Sequence, residues 1–156
     1  MKGDAEIVAI LNEVLTSELT AINQYFVHSK MFQSWGYQKL AAQKREESIE
    51  EMRHADRVMD RILFLEGVPN MQRLFPVRVG ENVTEIQKAD LALEVEAIAR
   101  LNRGIALCTA KGDNGTRELL AAILVDEEKG LDELEAQLGI LAKIGEELYL
   151  AEHIRP

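Results

Sequence analysis

Apolar residues recur at steps of three and four through four long stretches of this chain, the period of helices that turn one face to a core. The first stripe reads Ile7, Leu11, Val14, Glu18, Ile22, Tyr25, and the second Glu47, Glu51, His54, Val58, Ile62, Leu65. The third reads Leu91, Glu94, Ile98, Leu101, Ile105, Cys108, and the fourth Leu120, Ile123, Glu127, Leu131, Leu134, Leu138. Punctuation between them predicts helices over about residues 5–34, 38–66, 82–111 and 114–144, with a short fifth over 146–153. Asp4 suits an N-cap, Asn82 with Glu85 resembles a capping box, and Gly36, Gly67, Pro69, Gly112 and Gly145 stand at the breaks.

Connection lengths predict the topology. The joints near 35–37 and 112–115 are short, so each joins antiparallel neighbours. From Gly67 to Glu81 the chain runs about 15 residues, holds Pro69 and Pro76, and has no helical period. Extended at about 3.3 Å per residue, such a stretch spans roughly 50 Å. A helix of about 30 residues is roughly 45 Å long. The connection therefore has the reach to return along the whole bundle and leave the second and third helices parallel. The predicted fold is all-α: one domain over 1–156, four long helices, one long crossover and a short C-terminal helix.

Each stripe carries a glutamate in its middle: Glu18, Glu51, Glu94 and Glu127. A buried carboxylate is costly unless it is paired or neutralised. One such residue is ordinarily snorkelling or ion-paired. Four on four facing stripes ask for another explanation, because the stripes contain no lysine or arginine. A bound cation removes the repulsion, and carboxylate oxygens with an imidazole suit iron or manganese. The chain also repeats: Glu18 and Glu51 are 33 residues apart, as are Glu94 and Glu127. His54, three residues after Glu51, shares its helical face, the Glu-x-x-His element of di-metal carboxylate bundles. The repeat predicts a second histidine at position 130, where the chain reads Glu127-Glu128-Lys129-Gly130. A glycine inside a helix costs about 1 kcal/mol relative to alanine, so the exchange does nothing for the helix and leaves one metal a ligand short.

Composition narrows the setting. A length of 156 residues and 47% hydrophobic content suit one domain with a continuous core. The single cysteine, Cys108, has no internal partner. With no signal-like amino terminus, it points to a reducing, cytoplasmic compartment. A net charge of −9 speaks against a nucleic-acid partner and is compatible with gathering cations, though it serves solubility equally well. No apolar run reaches the roughly 20 residues needed to span a membrane.

Several runs are similar to one known family. Met1-Lys2-Gly3-Asp4, the run from Glu18 to His28 with its Ala21-Ile22-Asn23-Gln24-Tyr25-Phe26 core, Glu51-Met52-Arg53-His54-Ala55-Asp56, and Arg61-Ile62-Leu63-Phe64-Leu65-Glu66-Gly67 resemble bacterioferritin along essentially the whole chain. The resemblance implies a ferritin-like bundle and a hollow shell of 24 subunits built from dimers, which stores hydrated ferric oxide. It implies a di-iron ferroxidase centre on Glu18, Glu51, His54, Glu94 and Glu127, in which Glu51 and Glu127 bridge the irons. It also implies haem b at two-fold interfaces, held by Met52 from each of two subunits, and a ferredoxin or reductase as electron donor. Met52 lies about 100° around the helix from Glu51, on a strip with Met59 and Leu63. Spacing alone reads that strip as ordinary packing.

The chain departs from the family pattern at Gly130, at Glu133 where a tryptophan is often found nearby, and at Val58 where tyrosine occurs. Tyr25 remains near the site. Glu46 and Glu50 read as an acidic face or as seeds for mineral, and Glu66 with Asp132 match an iron-entry channel only in part. Three functions follow. The first is an iron-storage ferroxidase using dioxygen or peroxide. The second is a haem-bearing shell subunit with a weakened iron site, co-assembled with a competent subunit of a second type. The third is a helical interaction module without metal, which requires the four glutamates to pair with buried cations.

Overall fold

The computed structural model describes residues 1–155 and consists of helices α1 (Ala5–Trp35), α2 (Gln38–Phe64), α3 (Val83–Lys111), α4 (Asn114–Ile144) and the short α5 (Glu146–Ala151). Asp4 starts α1 by accepting from the amides of Glu6 (2.8 Å) and Ile7 (3.3 Å). Asn82 starts α3 by accepting from the Glu85 amide at 2.9 Å. The Glu85 carboxylate answers by taking the amide of Glu81 at 2.8 Å, one residue before the cap. Gly36 and Gly112 end α1 and α3 in the left-handed region, at φ 90° and 73°, where a side chain would be strained.

Two helix ends differ from the sequence expectation, and both differences come from tertiary contacts. α2 stops at Phe64, two residues early, because Glu66 turns to φ 62° and Leu65 folds into the core at 2% exposure. There the Leu65 carbonyl receives the Gly3 amide at 3.0 Å, which pins the amino terminus. α5 also ends two residues early, at Ala151. The carbonyls of His153 and Ile154 accept from the amides of Lys39 (3.0 Å) and Gln38 (3.3 Å). They satisfy first-turn donors of α2, whose N-cap Tyr37 supplies no side-chain bond.

Polar contacts between helices give the directions. Ser29 to Ala41 and Ser48 to Ile22 run α1 against α2. Arg100 to Ser17 and His28 to Asp90 run α1 against α3, and His54 to Glu127 with Arg61 to Asp113 run α2 against α4. α2 and α3 are therefore parallel, and residues 65–82 cross the length of the bundle between them. The crossover is tied down at intervals. The amides of Asn70, Phe75, Arg78 and Gly80 donate to Asn12, Thr20, Gln24 and His28, which climb α1 in turn.

Two apolar clusters fill the ends of the bundle. One gathers Leu11, Val14, Val58, Ile62, Leu101 and Ile123, and the other Phe32, Leu40, Ile86, Leu141 and Tyr149. Between them the interior is mostly polar, with a small apolar cluster of Ala21, Tyr25 and Leu93. Among the described residues no helix is long and apolar enough to cross a membrane.

The crossover seats on α3 through Gly80, where a Cβ would stand 2.5 Å from the Ile86 nitrogen and 2.8 Å from the Glu85 carbonyl carbon. Backbone cannot yield as a side-chain tip can. Gly80→Ala is expected to lower unfolding stability by about 1–3 kcal/mol, read as an earlier midpoint in chemical denaturation; an unshifted midpoint would mean the crossover relaxes freely.

Candidate metal centre

The glutamates in the middle of the four stripes meet in the polar layer between the two clusters. Glu18, Glu51, Glu94 and Glu127 are 2%, 6%, 5% and 2% exposed, and His54 is 2% exposed. Ligand atoms of Glu18, Glu51, His54 and Glu127 all lie within 4.8 Å of one another. His54 Nδ1 is 3.0 Å from Glu127, 3.6 Å from Glu18 and 3.7 Å from Glu51, and its Nε2 is 3.0 Å from Asp126. Glu94 stands outside that group of four and accepts the hydroxyl of Tyr25. One oxygen each of Glu18 and Glu94 is buried without a hydrogen-bond partner, so the layer has acceptor capacity left for a cation.

Protonation follows from crowding. Burial first, then the charge of Glu18, pushes Glu51 well above the usual carboxylate range. Burial and the contact with Glu127 do the same to Glu94. Glu18 and Glu127 are raised chiefly by burial. Burial pulls His54 down, but its bonds to Glu127, Glu18 and Glu51 outweigh that and the net shift is upward. All of these shifts favour the protonated forms, of the carboxyls and of the imidazole alike. Divalent metal needs those same atoms deprotonated.

The missing histidine is a matter of space. A Cβ on Gly130 would lie 3.8 Å from the Glu94 carboxyl, an ordinary contact pointed at the metal cluster. Gly130 lies on the wall of a cavity of about 580 Å³ lined mostly by α2 and α4, which reaches from Glu50 and Glu133 to Glu51, Glu94 and Glu127. Glu46 and Glu50 at the rim share Arg53, at 3.3 and 2.8 Å. Glu66 and Asp132 are exposed, Glu66 lying 3.8 Å from the terminal amine. Val58 is fully buried in the apolar cluster. Met52 points away from the site and is 56% exposed.

A second polar cluster lies beside the first and was not read from the sequence. Lys44, 2% exposed, sits among Asp90 (2.7 Å), Gln87 (2.8 Å) and Glu47 (3.4 Å). Burial lowers Lys44, but Asp90 and Glu47 outweigh it, so the ammonium stays charged. The signal was present: stepping outward from Glu51 through Glu47 reaches Lys44, from Glu94 reaches Asp90 and Gln87, and from Tyr25 reaches His28. Asp126 escaped for the opposite reason, because it belongs to an exposed face and joins only through His54.

The chain matches the family model described as "Ferritin-like domain" over residues 8–144. It is 53% identical to a bacterioferritin of Mycolicibacterium paratuberculosis, covering 97% of this chain and 96% of that one. It is 54% identical to a bacterioferritin of Streptomyces coelicolor, covering 97% and 90%. Against a bacterioferritin of Brucella melitensis the identity is 47%, covering 96% and 92%.

Since the shifts favour protons on the atoms a metal would use, binding of Co(II) is expected to release protons and to tighten as pH rises. The sign is the same for both kinds of group. Raised carboxyls and a raised histidine stabilise the metal-free fold at low pH and lose that contribution as pH rises. Calorimetry in buffers of different ionisation enthalpy checks this; a buffer-independent heat would mean the layer is already deprotonated.

Proposed function

Because the chain belongs to the bacterioferritin family, we propose that it is an iron-storage subunit whose polar layer takes up Fe(II) and oxidises it to Fe(III). The observation that carries the reading is the convergence of four buried glutamates and His54 on one small volume, with unpartnered oxygens left over. Iron is the substrate here. Two Fe(II) give two electrons to dioxygen or peroxide, and the carboxylates favour the product because they stabilise Fe(III) more than Fe(II). Glu51 and Glu127 would be shared by the two irons, Glu18 and His54 would hold one of them, and Glu94 would hold the other on the side of Gly130. Tyr25 orients Glu94 through its hydroxyl. Asp126 turns the His54 ring by holding Nε2. Ferric product leaves through the cavity at Gly130 toward the interior of a cytoplasmic shell of 24 subunits built from dimers.

The residues present also fit haem b at a dimer interface. Met52 offers an exposed thioether, and the bond from Ser48 to the Ile22 carbonyl sets α1 in register with α2. That register brings Met52, one turn beyond Ser48, level with the partly buried Leu19, while Phe26 adds an aromatic ring 47% exposed. A haem held there supplies one-electron transfer for emptying the store, with a ferredoxin as donor. Gly130 favours a second reading, in which the iron site is weakened and this subunit assembles with a competent one of another type.

Gly130→His supplies the sixth side chain of the centre and is expected to raise the rate of Fe(II) oxidation about tenfold, the scale on which metal-site groups act. Stopped-flow absorbance on both proteins measures it. An unchanged rate would mean the gap is filled another way, and no oxidation above buffer in either would end the ferroxidase reading. Met52→Leu is expected to abolish the Soret band while the size-exclusion profile of the shell stays the same; haem kept by that variant excludes Met52 as its ligand.

A further inference from the structure

Lys44 occupies a place shaped like a metal site. Oxygens of Asp90, Gln87 and Glu47 converge on its ammonium at 2.7, 2.8 and 3.4 Å from two different helices. Each of the two buried partners is itself held from behind. Asp90 accepts from Gln24 Nε2 at 2.9 Å and from His28 Nδ1 at 3.0 Å. His28 must be the donor in that pair, because its other nitrogen accepts the Gly80 amide at 3.1 Å. Gln87 donates its amide to the Tyr149 hydroxyl at 3.1 Å, which turns its carbonyl oxygen toward Lys44. Backing of this kind is what orients oxygen ligands around a metal. Divalent cations sit about 2.0–2.6 Å from such oxygens, so a shift of less than an ångström for Asp90 and Gln87, and of about an ångström for Glu47, separates the present arrangement from a coordination shell.

The cradle opens on the same cavity as the main cluster. Lys44, Glu47 and Gln87 line it together with Glu51, Glu94 and Glu127. Tyr25 stands between the two, its ring 5.7 Å from the Lys44 ammonium and its hydroxyl on Glu94. A divalent ion that reaches one set of carboxylates has a path to the other. A hydrogen-bonding role alone would be met by a neutral side chain at position 44, without the desolvation that a buried ammonium carries.

Resting on the ferroxidase reading above, we propose that Lys44 is a built-in cation that closes a second, three-oxygen metal cradle and so confines divalent metal to Glu18, Glu51, His54, Glu94 and Glu127. The chain carries its own occupant for the place where a stray ion would bind.

The test uses the assembled full-length protein and Co(II) as probe, counted per subunit by equilibrium dialysis and located by anomalous scattering. Lys44→Met keeps the bulk of the stem and removes the charge, and Lys44→Gln does the same with a polar end. Either is expected to bind one Co(II) per subunit more than the unsubstituted protein, at Asp90, Gln87 and Glu47, and to gain more thermal stability from Co(II). Adding Asp90→Asn is expected to remove the extra ion. Equal Co(II) counts with and without Lys44, or an extra ion indifferent to Asp90, overturn the proposal. Should Lys44→Met fail to assemble, Lys44→Gln decides on the same criteria. No Co(II) at the main cluster of the unsubstituted protein is a separate failure, that of the iron reading itself.

Discussion

Four carboxyl groups held within an apolar bundle set the terms for everything around them. Their charges cannot all persist in a low-dielectric interior without compensation. Protons are one source of that compensation, since burial raises Glu51 and Glu94 and the neighbouring carboxylates raise His54. With Fe(II) present it would be the metal, competing for the same oxygens. The two apolar clusters on either side fix the helices so that the carboxyls cannot simply swing out to water. The layer is therefore a stored demand for positive charge, maintained by packing well away from it.

The long crossover belongs to this scheme although it lies outside the bundle. Its amide at Gly80 fixes the His28 tautomer, His28 and Gln24 fix Asp90, and Asp90 fixes Lys44 on the wall of the cavity. A surface segment is thus linked by four contacts to the electrostatics of the interior. The buried cation that a metal-free interaction module would require does exist, but it neutralises Asp90 and Glu47 instead of the four central glutamates.

One helix serves two environments. Glu51 and His54 turn inward from α2, while Met52, a single residue on from Glu51, is more than half exposed. The 100° step per residue makes this possible without any change in the helix. Gly130 shows the converse on α4, where a residue without a side chain sits within an unbroken helix on the wall of the cavity that reaches the buried glutamates.

Periodicity along the chain determined the helices, their order, the parallel run of α2 and α3, and the set of acids aimed at one interior. These follow from local rules: a 3.6-residue repeat, capping at Asp4 and Asn82, and the reach of an extended connection. The family resemblance carried the expectation for Met52, which spacing alone treats as packing. What only the tertiary structure decided was which polar side chains become neighbours. Lys44, Gln24, His28 and Gln87 look like ordinary polar positions in sequence, because their partners lie 43 to 66 residues away. The early ends of α2 and α5 were likewise decided by contacts with distant backbone at Gly3 and Lys39. Burial, and with it the direction in which each acid titrates, is a property of the packed bundle, since no single helix can remove its own stripe from water.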